Sequence, residues 1–304
     1  MRIIFAGTPE FAVPSLRALV AAGHDVAGVI TRADAPLGRK RVLTPSPVAA
    51  VAEELGLPVL KANQLGDAET EWAKTLGADL GVIVAYGGLV RQALLDTPTN
   101  GWINLHFSDL PRWRGAAPVQ RALMAGEQEL GVTVFRLVPA LDAGDVLTRD
   151  AKTFPQGTSA GEALTDLAEF GTAALIRAVQ VLTDTPEAGT PQAGETSYAH
   201  KLTREDGKLD LSKPTDVVLA TWAGVTPEPG AYALLGEQAI KLKAIRPTTL
   251  TAPGAPGTVT LVHGTALLAL TDGALQLDTV QPAGKPAMAA DAWLRGRQEA
   301  TILA

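Results

Sequence analysis

The sequence predicts an α/β domain with a largely parallel sheet covered by helices on both faces, followed by a smaller antiparallel β-domain. Three observations carry this. Apolar runs of strand length alternate with helix-length segments across residues 1–184, which is βαβ order. Those strands are continuously apolar, as burial on both faces requires. Beyond a stretch rich in Thr, Pro, Gly and Ala, the pattern becomes short apolar runs split by turn residues, as in a small barrel or sandwich.

The elements follow in order. RIIFA is β-prone, G-T-P-E breaks it, and FAVPSLRALVAAG has apolar spacing compatible with a helix. HDVAGVITR is the next strand, completing a first βαβ unit. The alternation continues with SPVAAVAEELG as helix, LPVLKA as strand, DAETEWAKTLG as helix and ADLGVIVAYG as strand. WINLHF is a strand, PVQRALMAG a helix, GVTVFRLV a strand, and SAGEALTDLAEFGTAALIRAVQVLTD a long amphipathic helix ending near Thr183. TPEAGTPQAGETSYAHKL has no periodicity and reads as an interdomain linker. GAYALLG, QAIKLKAIR, GTVTLV and TALLALTDGALQLDTVQP then suggest antiparallel strands, and MAADAWLRG a closing helix. The expected division is 1–184, a linker over 185–203, and 204–304.

Composition narrows the chemistry. The 304 residues include no cysteine, which excludes disulfides, a thiolate nucleophile and Cys-ligated metals. The net charge of −6 argues against a non-specific nucleic-acid binder but leaves room for a local basic face. The opening MRIIFAGTPEFAVPSL is too short in apolar residues for a signal peptide, and no stretch reaches a membrane span. The expectation is a cytoplasmic protein without a membrane partner.

The candidate chemistry sits at strand ends, where open α/β sheets collect ligands. Asn104 and His106 close WINLH at i and i+2, so both side chains face one side of the strand. An amide donor beside an imidazole suits acyl chemistry: one holds a developing oxyanion, the other stabilises charge or moves a proton. The plainer alternative is a strand-end histidine bonded to backbone. ALDAGD places Asp142 and Asp145 after the next strand; a carboxylate there would orient His106, though an Asp-Gly turn explains the pattern as well. No His or Glu cluster joins the aspartates at ligand spacing, so a metal is not expected. FAGTPEF lacks the spaced glycines of a dinucleotide fingerprint. Arg39, Lys40 and Arg41, in APLGRKRVLTPSPV, are either a handle for an anion or a solvated loop.

Taken together, RIIFAGTPEFA, GRKRVLTPSPV, VIVAYGGLV, INLHFSDLPRWRGAAPVQRAL, ALDAGD, TSYAHKLTREDGKLDL and QPAGKPAM resemble the methionyl-tRNA formyltransferase family nearly end to end. The resemblance implies a Rossmann-like formyltransferase domain with a mostly parallel sheet and a C-terminal OB-like β-barrel. It implies transfer of a formyl group from 10-formyltetrahydrofolate to the amino group of methionine on initiator tRNA, by a monomer and without a metal. Asn104, His106 and Asp142 take the catalytic positions. Val84, Ala85, Tyr86 and Gly87, with Ser108, Asp109, Leu110 and Pro111, take the folate positions. Arg39, Lys40, Arg41, Lys201 and Arg204 take the tRNA positions.

The sequence departs from the family at a few places. Phe107 and Asp109 stand where the family has Gly and Leu, the basic loop lacks its second Gly, and TPEPGA replaces an Asn-Pro-Trp-Pro stretch. Three other functions compete: formyl transfer to glycinamide ribonucleotide, a sugar-nucleotide amine or water; a nucleotide-sugar or dinucleotide oxidoreductase; and a tRNA binder without turnover.

Overall fold

The structure is a computed structural model and describes residues 1–38, 40–297 and 301–304. Its elements run β1 (Arg2–Gly7), α1 (Val13–Ala21), β2 (Asp25–Thr31), β3 (Ala35–Leu37), β4 (Val42–Thr44), α2 (Pro47–Glu54), β5 (Val59–Lys61), α3 (Asp67–Thr75), β6 (Leu80–Val84), α4 (Gln92–Leu95), β7 (Trp102–His106), β8 (Arg114–Gly115), α5 (Pro118–Met124), β9 (Glu129–Arg136), β10 (Val146–Thr153) and α6 (Ala160–Asp184). They continue with β11 (Tyr198–Ala199), α7 (Thr215–Val225), β12 (Tyr232–Leu235), β13 (Gln238–Pro247), β14 (Thr258–Val262), β15 (Thr265–Ala269), β16 (Ala274–Pro282), β17 (Met288–Ala289), α8 (Ala290–Arg295) and β18 (Thr301–Ile302).

The chain forms two compact units. One comprises Met1–Ala116, Leu130–Lys152 and Leu164–Tyr198; the other comprises Ala117–Glu129, Thr153–Ala163 and Ala199–Ala304. The first holds a sheet of order β10-β9-β7-β6-β1-β2-β5. β5, β2, β1, β6 and β7 run parallel, and β9 is antiparallel to β7. Ile3, Ile4 and Phe5 of β1 are all fully buried, which is why that strand carries no polar alternation. The start of α2 is locally encoded. Ser46 accepts a hydrogen bond from the Ala49 amide at 3.0 Å, with Pro47 at the first helical position of α2.

One face of the sheet is a core built on Ile4, Ile30, Ile83, Leu94 and Trp102. The Trp102 indole lies flat on β6, where a Cβ at Gly81 would come within 2.0 Å of it, and its N–H donates to the Leu94 carbonyl at 2.8 Å. Each fully buried side chain of this size is worth about 1.5–3 kcal/mol.

The second unit is the expected smaller antiparallel β-domain. Its sheet runs β12-β13-β16-β15-β14-β18, with β17 on β16. Leu234 of β12 exchanges backbone hydrogen bonds of 2.6 and 2.8 Å with Ala304, just past β18, joining the two sheet edges. Within this unit α7 packs on α5: the backbone at Gly224 comes so near that an added Cβ would lie 2.4 Å from the Gln120 carbonyl.

Several regular stretches carry no clear signal in the sequence. TDVVLATWAGV forms α7, apolar on nearly every side, so no 3.6-residue stripe stands out. VLTRDAKT forms the half-exposed terminal strand β10. The segments flanking the basic residues pair antiparallel, Ala35 with Thr44 and Leu37 with Val42, and the Arg41 amide donates to the Gly38 carbonyl at 3.1 Å. Three-residue strands are too short for a period to register.

Candidate active site

β7 separates its side chains cleanly. Leu105 faces α6, which comes so near that a Cβ at Gly171 would lie 3.2 Å from the Leu105 side chain. Asn104 and His106 therefore point to the opposite face. Asn104 lies between Ile83 of β6 and Phe135 of β9 in the sheet register. His106 is 7% exposed, with its ring edge-on to Phe135 at 6.3 Å between centroids.

His106 Nε2 lies 2.9 Å from the Trp113 carbonyl. A carbonyl oxygen only accepts, so Nε2 carries the proton and the neutral ring keeps its lone pair on Nδ1. Burial pulls the imidazole pKa below its ordinary 6.5; the Asp142 charge and the Trp113 carbonyl work against that pull. The resting ring is neutral, yet a carboxylate stands ready to stabilise its cation.

Asp142 is 9% exposed and left-handed, with φ at +46°. Its Oδ2 accepts from the Gly115 amide at 2.7 Å. The turn hugs the end of β9 because residue 144 has no side chain; a Cβ there would sit 1.8 Å from the Arg136 carbonyl. Ala85 and Trp113 are also non-glycine residues with positive φ, at +50° and +59°. All three lie in the loops that follow β6, β7 and β9.

The remaining expected positions divide into backbone and side-chain roles. Val84 and Tyr86 are buried, and the Tyr86 hydroxyl donates to Ala62 O at 2.7 Å, so its ring belongs to the core. Segment 84–87 thus presents main chain, steadied by Arg32 donating to Gly87 O at 2.8 Å and Thr8 to Tyr86 O at 2.9 Å. The Ser108 hydroxyl is used within its own turn, donating to Arg112 O at 2.7 Å. Leu110 is buried and its amide donates to Thr133 Oγ1 at 3.2 Å, just before Pro111. Asp109 is exposed and pairs with Arg149 at 3.1 Å, so the added anion is neutralised locally. Phe107 is buried edge-on against Phe11 at 5.7 Å, which answers how a Phe fits in a Gly position.

Lys40 and Arg41 sit exposed on the β3–β4 turn, flanked by exposed Leu37, Val42 and Leu43. Arg39 lies outside the described residues. Lys201 and Arg204 are exposed in the second unit, where the Arg204 guanidinium stacks 5.9 Å from the Tyr232 ring.

The structure adds residues to the site that sequence reasoning missed. Residues 186–198, expected as linker, lie along the first unit. Ser197 accepts from the Trp113 amide at 2.9 Å, and its carbonyl from the Arg114 amide at 2.8 Å. Arg136 donates to Ala188 O at 2.8 Å. Gln192 reaches the Asp142 turn itself, donating to the Asp142 and Gly144 carbonyls at 2.8 and 2.9 Å. Arg114 could have been suspected from the WRGAAP block; Gln192 carries no local signal, since its neighbours are Thr, Pro, Gly and Ala.

The fold and this strand-end site define a formyl transferase: the pattern of the Formyl transferase family matches residues 1–179, and that of the Formyl transferase C-terminal domain matches 201–298. A methionyl-tRNA formyltransferase of Leifsonia xyli subsp. xyli is 55% identical over 306 residues, covering 100% of both chains. The chain belongs to the methionyl-tRNA formyltransferase family. Two solved structures share the fold at low identity. HypX from Aquifex aeolicus in complex with tetrahydrofolic acid superposes with a TM-score of 0.67 at 18% identity over 97% of this chain, which spans 47% of HypX, about half its length. An N-formyltransferase from Helicobacter canadensis in complex with folinic acid and dTDP-3-aminofucose gives 0.70 at 15% identity, covering 93% of this chain and 99% of that one. Among the described residues no helix is long and apolar enough to cross a membrane.

Proposed function

We propose that this protein transfers the formyl group of 10-formyltetrahydrofolate to the amino group of methionyl initiator tRNA, acting as a monomer in the cytoplasm. The observation that carries the mechanism is His106: buried, neutral, held in one tautomer by the Trp113 carbonyl, and within the field of Asp142. Residues 1–184 supply the chemistry and 204–304, with the basic loop, supply tRNA binding.

The roles follow from the groups. A pterin is rich in donors and acceptors, and the main chain of Val84, Ala85, Tyr86 and Gly87 offers matching partners. The turn from Ser108 to Pro111 lies at the next strand end. As the methionyl nitrogen adds to the formyl carbon, Asn104 donates to the oxygen that becomes an oxyanion. His106 Nδ1 takes the proton released by the attacking amine, and Asp142 stabilises the transient imidazolium. When the bond from formyl carbon to folate nitrogen breaks, that proton passes to the leaving nitrogen. The amide forms, tetrahydrofolate leaves, and protons balance. Arg39, Lys40, Arg41, Lys201 and Arg204 hold phosphates.

The test is formyl transfer from 10-formyltetrahydrofolate to charged initiator methionyl-tRNA. Asn104→Ala, His106→Ala and Asp142→Ala should each lose about 10²–10⁴ in kcat with tRNA binding retained, as for oxyanion donors and general bases elsewhere. A wild-type enzyme that formylates free amines or water but no tRNA would replace this reading.

A further inference from the structure

We propose that Gln192 is a positioning residue for the transfer, holding the Asp142 turn in its working conformation from a segment that reads as a linker. The inference rests on the role given to Asp142 above.

A left-handed conformation at a non-glycine residue costs roughly 1–2 kcal/mol and persists only where the surroundings impose it. Two contacts impose it at Asp142. The Gly115 amide fixes the carboxylate, and Gln192 fixes the main chain by bonding the carbonyls of Asp142 and Gly144 together. The amide of Gln192 has one orientation. Arg114 Nη2 donates to its Oε1 at 2.6 Å, while the two carbonyls only accept and so must face its NH₂. Both amide hydrogens are used on the turn. Arg114 in turn is fixed through its amide on Ser197 O, within the stretch that carries the Trp113 carbonyl to His106. One residue therefore ties Asp142 to the frame that orients His106.

The discriminating substitution is Gln192→Glu. It keeps the size and the Arg114 contact, but a carboxylate donates nothing and would face two carbonyl oxygens. Gln192→Met removes the same bonds without charge and serves should the Glu variant not fold. We would measure kcat and both KM values for wild type, each Gln192 variant, Asp142→Asn and the double variant. Misplacing a reacting group by about 1 Å costs on the order of 100-fold, so kcat should fall about 10- to 100-fold with both KM values changed by less than about threefold. In the Asp142→Asn background the Gln192 substitution should add less than about threefold, because both act through one group. Wild-type kcat in the Gln192 variants overturns the inference. So does a loss that multiplies in the double variant, or one that raises both KM values in step with a collapse in Tm. Full activity in Asp142→Asn alone removes the role of Asp142, and is read independently of the Gln192 results.

Discussion

His106 shows how burial and charge set a working protonation state. Its folded-state pKa lies below the ordinary 6.5 chiefly because of burial. Below about pH 6.5 the unfolded chain takes up a proton that the folded chain refuses, so the unfolded state is favoured. The contribution of this neutral histidine to stability is thus complete above about pH 6.5 and is lost as pH falls toward the lower folded value. Thermal unfolding between pH 7.5 and 5 should show wild-type Tm falling more steeply than that of His106→Gln. Parallel curves would assign the acid sensitivity to other groups. Asn104 and His106 were legible because a strand has a strict period of two. The bonds around them were not, because the one from His106 to the Trp113 carbonyl spans 7 positions and the one from Gln192 to the Asp142 carbonyl spans 50.

At the scale of elements, the site depends on close approaches between turns and strand ends. The Asp142 turn lies against β9 only because residue 144 is Gly. Gly144→Ala forces a Cβ onto the Arg136 carbonyl, so the turn must move. We expect a loss of about 2 kcal/mol or more, typical of overpacking, read as a lower urea midpoint, together with a fall in kcat. Unchanged stability would mean the turn relaxes freely. The pair of Asp109 and Arg149 is different: the side chains are 59% and 45% exposed, and such pairs contribute about 0–1 kcal/mol. Most of the helices and the parallel strands are legible in period and composition. α7 and the short strands flanking the basic loop are not, the one being apolar all round and the others too short to show a period.

On the scale of the molecule, a chain of net charge −6 must bind a polyanion through segregated charge. Some cations of the C-terminal half are already paired, Arg246 with Asp278 at 3.2 Å and Arg295 with Asp291 at 2.9 Å. We therefore expect the loop carrying Arg39, Lys40 and Arg41 to contribute more of the tRNA contact. Neutralising Arg39, Lys40 and Arg41 together should weaken tRNA binding and leave folate affinity in place. It should also reduce the slope of log affinity against log salt by about one for each phosphate that is no longer neutralised. Identical salt slopes would remove the loop from the interface. The compact units also bear on truncation. α5 belongs with the second unit and packs against α7, with Val119 and Leu123 buried. Ending the chain near residue 204 removes α7 and uncovers that apolar face. Such a truncation should lose solubility and Tm as well as activity, checked by sedimentation and calorimetry. A soluble, cooperatively folding fragment would show that α5 is held without it.

The sequence by itself determined the βαβ order, the change to antiparallel strands, the absence of thiol chemistry, and the facing pair Asn104 and His106. All of these are local or compositional, encoded in period, turn residues and counts. Only the tertiary structure decided that Tyr86 is core, that Asp109 is neutralised by Arg149, that Phe107 has a place against Phe11, and that residues 186–198 lie along the first unit. It alone brought Gln192 to Asp142. Those outcomes depend on which distant groups the fold brings within a few ångströms, and pairings across such separations leave no period in a chain.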